Sequence, residues 1–267
     1  MTRPRALVDL LIWAFPRRFM AARATRLPIV GTIADRALFA GDAIVYLPQD
    51  RVVEVNRTID PGEQMFLPSR VVEHFIERSS YRWIMNWCIC RKASGCQDYP
   101  VELGCLFLGK GAMKINPALG RPATKEEARE HVRKCREAGL VHLIGRNRLD
   151  ALWLGTGPGD RLMTICNCCP CCCLWKILPA AAPAIGAKVT KMPGLTVAVT
   201  DRCNGCGACA KACFMGAIAI AGGKATIGEQ CRGCGRCATR CPRGAIEVRM
   251  GDLEETIARL GAAVDVT

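Results

Sequence analysis

Apolar positions along this chain change their period several times, and each change predicts an element. Residues 43–47 and 52–56 are short apolar runs with the look of buried strands. Helical periodicity follows over residues 69–80. A second helix is predicted over residues 124–138, because Thr124 and Glu127 make a capping box and Gly139 supplies a stop. Beyond it, residues 140–144, 151–154 and 162–165 are apolar stretches separated by turn residues that include Gly155, Gly157 and Gly159, and they read as short strands. An Ala/Pro stretch at residues 179–183 marks the best linker.

The first residues test for a leader. Residues 6–15 are apolar behind Arg3 and Arg5, but Asp9 interrupts the run, Pro16-Arg17-Arg18 ends it, and no small-residue cleavage site follows. No stretch approaches the ~20 apolar residues of a spanning helix. The segment is expected to pack as a helix on the body or on a partner. The alternative is peripheral contact of residues 6–26 with an anionic membrane surface, since Arg17, Arg18, Arg23 and Arg26 flank the apolar side chains.

At 267 residues, half of them apolar and 23% charged, the chain has room for one large or two ordinary packed domains. Its formal charge is +13, and the excess is N-terminal: residues 1–200 hold 28 basic against 17 acidic residues, residues 201–267 hold 9 against 7. Such a balance suits nucleic acid, membrane or an acidic partner. Cysteine bound to metal as thiolate carries negative charge that this count ignores, so part of the excess is local compensation.

Nineteen cysteines change the picture most, because they fall in clusters. Disulfide frameworks belong to small domains of oxidising compartments, whereas Cys-x-x-Cys runs in an intracellular chain mean metal or redox chemistry. A cytoplasmic location is expected, with a peripheral place on the inner face of the membrane as its variant.

Cys203, Cys206, Cys209 and Cys213 recur 28 residues later as Cys231, Cys234, Cys237 and Cys241. Gly205, Gly207, Ala210, Gly216, Ala217 and Ile218 recur as Gly233, Gly235, Ala238, Gly244, Ala245 and Ile246. Over residues 195–250 the sequence resembles the bacterial two-cluster ferredoxins. The resemblance implies two 4Fe-4S clusters, with the fourth cysteine of each unit serving the other unit's cluster. Cys203, Cys206, Cys209 and Cys241 then hold one cluster, and Cys231, Cys234, Cys237 and Cys213 the second. Glycines between the ligands let backbone approach the inorganic core. One departure stands out: Pro242 follows the last cysteine of the second unit, but Phe214 occupies the matching place in the first. A four-cysteine zinc site fits this pattern poorly, since zinc uses two separated Cys pairs.

Upstream lies a second field: Cys88, Cys90, Cys96 and Cys105, then Cys166, Cys168, Cys169, Cys171, Cys172 and Cys173, six thiols within eight residues. The Cys-x-Cys-Arg and Asn-Cys-Cys-x-Cys-Cys-Cys segments resemble those that precede the ferredoxin domain in larger iron-sulfur proteins of anaerobic bacteria. These ten cysteines are candidate ligands of one or two further iron-sulfur clusters, drawn from both groups, with a zinc site or stored thiols as the alternative. Adjacent cysteines on a strand point to opposite faces, so a turn after Pro170 is needed to gather Cys171, Cys172 and Cys173. Cys135 is expected to be a buried or surface thiol rather than a ligand.

Other motifs carry less. Pro158 gives residues 155–159 the punctuation of a turn rather than a dinucleotide loop. His74, His131 and His142 are scattered without a paired nucleophile. A helix-plus-wing outline over residues 124–154 raises nucleic-acid binding but lacks a recognition motif, so such binding is not expected.

The expected fold is α+β: a basic, apolar segment (1–30), a cysteine-rich mixed domain (31–178), a linker (179–194), a pseudo-symmetric ferredoxin-like domain (195–250) and a tail ending in a short helix (251–267). The expected function is electron transfer to a flavin- or metal-containing oxidoreductase partner. Its rivals are a reductase with a catalytic iron-sulfur centre in the upstream field and a redox sensor that binds nucleic acid.

Overall fold

Period-two alternation builds the central sheet of the computed structural model, which describes residues 3–50 and 67–267. The strand expected at 52–56 lies outside the described residues. Strands β1 (Ala43–Tyr46), β2 (Arg82–Met85), β3 (Leu106–Leu108), β4 (Gly120–Pro122), β5 (Val141–Arg146), β6 (Met163–Cys168) and β7 (Val189–Lys191) join in the order β4-β2-β3-β6-β5-β1-β7. Neighbours are antiparallel except β1 and β7, which are parallel.

Alternate residues of each strand serve two different cores. Val45, Ile84, Leu106, Leu108, Ile144, Met163 and Ile165 face one side, where they meet Val71, Val72, Phe75 and Ile76 of the Ser69–Arg78 helix, Ala128 and Val132 of the Lys125–Glu137 helix and Leu260 of the Leu253–Ala263 helix. Ile44, Tyr46, Val141, Leu143, Cys166 and Cys168 face the other side and pack with Trp175 and Ile177. The Lys125–Glu137 helix begins as its sequence requires. Glu127 N–H donates to Thr124 Oγ1 at 3.2 Å, Thr124 N–H donates to the Glu127 carboxylate at 2.9 Å, and Gly139 takes φ 76° just past the end.

Residues 151–154 depart from expectation, being the end of a helix, Arg148–Leu154, rather than a strand. Ala151 and Leu154, three apart, are the buried pair, and Gly155 closes the helix in the left-handed region at φ 70°. The helix-plus-wing outline therefore does not form. Residues 179–194 depart as well: they carry the Pro183–Gly186 helix and β7, which covers the edge of β1 and buries Val189 and Met192. The unpaired edge of β1 is what recruits them.

The 28-residue repeat becomes paired elements. The Ala208–Ala212 and Arg236–Arg240 helices are its two copies of one helix, and β9 (Ile218–Ala221) and β11 (Ile246–Arg249) its two copies of one strand. β9 pairs with β10 (Lys224–Ile227), and β11 with β8 (Thr196–Val199). This unit is not separated from the body. Val248 and the tail residues Leu260, Val264 and Val266 share the core of Val71 and Phe75.

The N-terminal residues form three helices, Arg5–Ala14, Arg18–Ala24 and Pro28–Leu38, that bury Val8, Ala22 and Gly31 and leave much of their apolar surface outside. Among the described residues, no helix is long and apolar enough to cross a membrane.

Gly145 of β5 sits at φ 146°, where an added Cβ would lie 1.9 Å from the Ala43 carbonyl oxygen of β1. Gly145→Ala is expected to force the two strands apart and cost about 2–5 kcal/mol, the range for strained, overpacked sites. Anaerobic thermal unfolding checks this, and a midpoint equal to that of the unsubstituted chain would refute it.

Candidate metal centres

In the ferredoxin-like unit, glycines set the path of each ligand loop. Gly205 and Gly207 take φ 68° and 77°, and Gly233 and Gly235 take 64° and 77°. A Cβ on Gly205 would come within 2.6 Å of the Gly223 backbone, so the loop tolerates only glycine there. The loop surrounds a hollow lined by Cys203, Cys206, Cys209 and, from the other unit, Cys241, with Ile220 and Ile246 as apolar walls. Backbone N–H groups aim at the sulfurs: Ala225 toward Cys203 at 3.4 Å, Ala217 toward Cys213 at 3.4 Å, Gly233 toward Cys231 at 3.4 Å and Ala245 toward Cys241 at 3.3 Å. In the second half, burial and then the neighbouring Cys234, Cys231 and Cys213 push the Cys237 thiol up to about 12. Donors trained on sulfur and a closed ring of thiols are what a cubane with thiolate ligands requires.

Upstream, β6 sorts its cysteines by face. Cys166 and Cys168 project into the core beside Tyr46, whereas Cys169, just past the strand end, joins Cys135, Leu140 and Cys172 on the opposite side. A turn at Pro170, Cys171 and Cys172 then folds the chain back, as the run of thiols demands, and returns Cys173 to within 3.0 Å of Cys168. Two groups result.

The first group is Cys96, Cys169, Cys171 and Cys172, whose sulfurs all lie within 4.8 Å of one another. Cys96 is 3.6 Å from Cys171, Cys171 is 3.5 Å from Cys172, and Cys172 N–H donates to Cys169 Sγ at 3.3 Å.

Cys88, Cys90, Cys105, Cys166, Cys168 and Cys173 form the second. Cys88 caps the Ile89–Ala93 helix that carries Cys90, and Cys105 stands one residue before β3, opposite Cys166 in the register that pairs Leu106 with Ile165. Thiols here share protons in pairs. The Cys90 thiol donates to Cys88, whose own proton affinity drops to about 7, and bonds from Cys166 and Cys173 hold Cys168 well below the ordinary thiol value. Cys90, Cys166 and Cys173 are held well above it, Cys90 chiefly as the donor to Cys88, Cys166 chiefly as a donor to Cys105 and then to Cys168, and Cys173 chiefly by burial.

Positive charge surrounds this second group. Arg91 is wholly buried; Nη1 donates to Asn167 O at 2.8 Å and Nη2 to Leu103 O, both neutral acceptors. Burial alone would pull its pKa down, yet Cys88, Cys169, Cys105 and Cys168 leave it raised. Arg236, 6% exposed, donates to Cys168 O at 2.5 Å while lying beside Cys234 of the ferredoxin-like unit. Arg18 of the N-terminal layer, part-buried, faces Cys90, Cys172 and Cys173.

Phe214, the residue that replaces proline in the first unit, packs its ring 5.5 Å from Tyr46 and 5.9 Å from the Arg236 guanidinium. Sequence reasoning noted Phe214 but missed Tyr46, Arg18 and Arg236. A signal for Arg236 was present, because the matching position of the first unit is Ala208. Both asymmetries of the repeat thus point into the upstream body.

The remaining thiol packs beside Cys169 and Cys172 but lies outside their four-sulfur group. Cys135 is buried, its Sγ 3.8 Å from His131 Nε2, and burial pushes it up to about 12, so it stays a neutral core thiol. His131 and His142 are likewise structural: His131 Nε2 bonds Gly104 O at 2.9 Å and His142 Nδ1 bonds Asn167 Oδ1 at 2.8 Å.

With this geometry in view, comparison with known families identifies a 4Fe-4S dicluster domain over residues 202–246. The chain therefore carries a ferredoxin-like iron-sulfur unit. Comparison with curated proteins and with solved structures gave no match.

Cys135→Ala is expected to leave iron, zinc and acid-labile sulfide per chain unchanged in anaerobically purified protein. Loss of any of the three would make this thiol a ligand.

Proposed function

We propose that the protein is an electron carrier with two 4Fe-4S clusters held in crossed fashion, Cys203, Cys206, Cys209 and Cys241 on one and Cys231, Cys234, Cys237 and Cys213 on the other, and a further iron-sulfur centre on Cys88, Cys90, Cys105, Cys166, Cys168 and Cys173. Clusters bound at these thiols supply one-electron redox chemistry, over a range of about −700 to +450 mV. The residues around them hold charge and exclude water.

Arg236 is the observation that carries this reading. It leaves the ferredoxin-like unit beside Cys234 and ends on the carbonyl of Cys168, so the second ferredoxin site and the six-thiol group share one buried cation. Among the described residues, neither Arg91 nor Arg236 has a carboxylate partner, and a buried, unpaired charge costs several kcal/mol. Thiolates fixed by metal supply the missing counter-charge. Tyr46 and Phe214 fill the gap between the two sites with aromatic rings and keep it dry. The N–H donors trained on Cys203, Cys213, Cys231 and Cys241 favour the more negative, reduced state.

No flavin or nucleotide motif stands in the sequence, so electrons leave to a separate redox partner, an oxidoreductase bearing flavin or metal. On this reading the protein works in the cytoplasm, with peripheral contact to the inner face of the membrane. Eight exposed large apolar residues (Leu10, Trp13, Met20, Leu27, Ile29, Val30, Ile33 and Leu38) lie in the N-terminal layer, against two elsewhere among the described residues. Arg17, Arg23, Arg26 and Arg36 stand among them, and that chemistry suits an anionic lipid surface.

Iron and sulfide analysis with EPR of the reduced protein tests the cluster assignment. More than eight of each per chain is expected. Cys241→Ala is expected to remove the signal of the cluster on the Cys203 triplet and spare the other; equal loss of both would refute crossed ligation. For the N-terminal layer, co-sedimentation with phosphatidylglycerol vesicles, weakened severalfold by Trp13→Ala with Ile29→Ser and by high salt, is expected. Equal binding to neutral vesicles would refute the preference for an anionic surface, and no binding would assign that face to the protein partner instead.

A further inference from the structure

The two upstream thiol groups differ in spacing, and the difference bears on what each binds. A single thiophilic ion in tetrahedral coordination has metal–sulfur bonds of about 2.3 Å, which places its four sulfurs about 3.8 Å apart. Cys96, Cys169, Cys171 and Cys172 meet that dimension: all four sulfurs lie within 4.8 Å, with the Cys96–Cys171 and Cys171–Cys172 pairs at 3.6 and 3.5 Å. A cubane sits inside its ligands and must hold them wider. The ferredoxin-like unit provides the internal standard, because neither of its cysteine sets draws three sulfurs within 4.8 Å among the described residues, and the same is true of the six-thiol group.

We infer that Cys96, Cys169, Cys171 and Cys172 bind one divalent ion, zinc or iron, with no inorganic sulfide. The site is closed, as structural sites are: four protein thiolates leave no position for water or substrate. Cys169 and Cys172 are buried beside Leu140, Cys96 and Cys171 are partly exposed, and an ion reaches the group from that open side. Its mechanical effect follows from where the ligands stand. Cys96 lies two residues after the segment that ends the Ile89–Ala93 helix, and the other three lie on the turn after β6, so the ion ties together the two stretches that present Cys88, Cys90 and Cys173 to the six-thiol group. The ion is thus a fastener for the electron-carrying centre and carries no electrons itself when it is zinc.

This inference rests on the upstream cysteines alone and stands or falls apart from the ferredoxin clusters. Cys96→Ser with Cys171→Ser in the full chain, purified without oxygen, is expected to lose one zinc or iron per chain with sulfide unchanged and the ferredoxin EPR signals kept. Loss of about four irons together with a like number of sulfides would overturn it, as would no loss of metal. Should the variant fail to fold, the unsubstituted chain decides. A zinc absorption edge showing four sulfurs and no metal neighbour, or a Mössbauer component of one isolated iron, supports the single ion, and absence of both refutes it. Cys166→Ser with Cys168→Ser, which touches none of these four ligands, tests the six-thiol cluster separately: iron lost together with sulfide supports that cluster, and unchanged sulfide refutes it while leaving the single ion standing.

Discussion

Among the described residues, the guanidinium groups of Arg91 and Arg236 are buried without an acidic side chain beside them, and cysteine thiols gather around both charges. Among the described residues each guanidinium bonds backbone carbonyls, which orient it but do not cancel its charge. Thiolate is the anion within reach. Breaking such a buried pairing by removing one side costs about 3–5 kcal/mol, a large share of the stability of a domain. The cations therefore favour the deprotonated thiols, which is the form in which cysteine binds metal.

Arg236 also ties the ferredoxin-like unit to the body, so that unit is not a free appendage. The 28-residue repeat is nearly symmetric, yet its symmetry is broken at positions that face the rest of the chain. Arg236 stands where the first unit has Ala208, and Phe214 where the second has Pro242. The Arg and Phe side chains converge on Tyr46, a fully buried residue of β1. The tail helix and Val248 complete the attachment from the other side of the sheet.

The sheet also divides the upstream thiols into two groups. A single strand, β6, with its period of two, hands Cys166 and Cys168 to one core, and Cys169 just beyond its end falls to the other, so thiols adjacent in sequence fall in different groups. Close packing on either side of the sheet keeps them apart. The turn at Pro170 then gathers Cys171 and Cys172 on the side of Cys169 and sends Cys173 back.

By itself the sequence determined the chemistry: a cysteine repeat with fixed spacing, glycines where backbone must approach sulfur, and a helix opened by Thr124 and closed at Gly139. These are local constraints, written in neighbouring residues, and they held. Residues 151–154 were misread as a strand because four apolar-rich positions carry no period of their own, and 179–194 read as a spacer because pairing with β1 is a contact about 145 residues away along the chain. The division of the ten upstream cysteines was likewise invisible. Which thiols meet depends on strand register, on the face each residue takes, and on a buried arginine from another unit, and only tertiary packing brings those together.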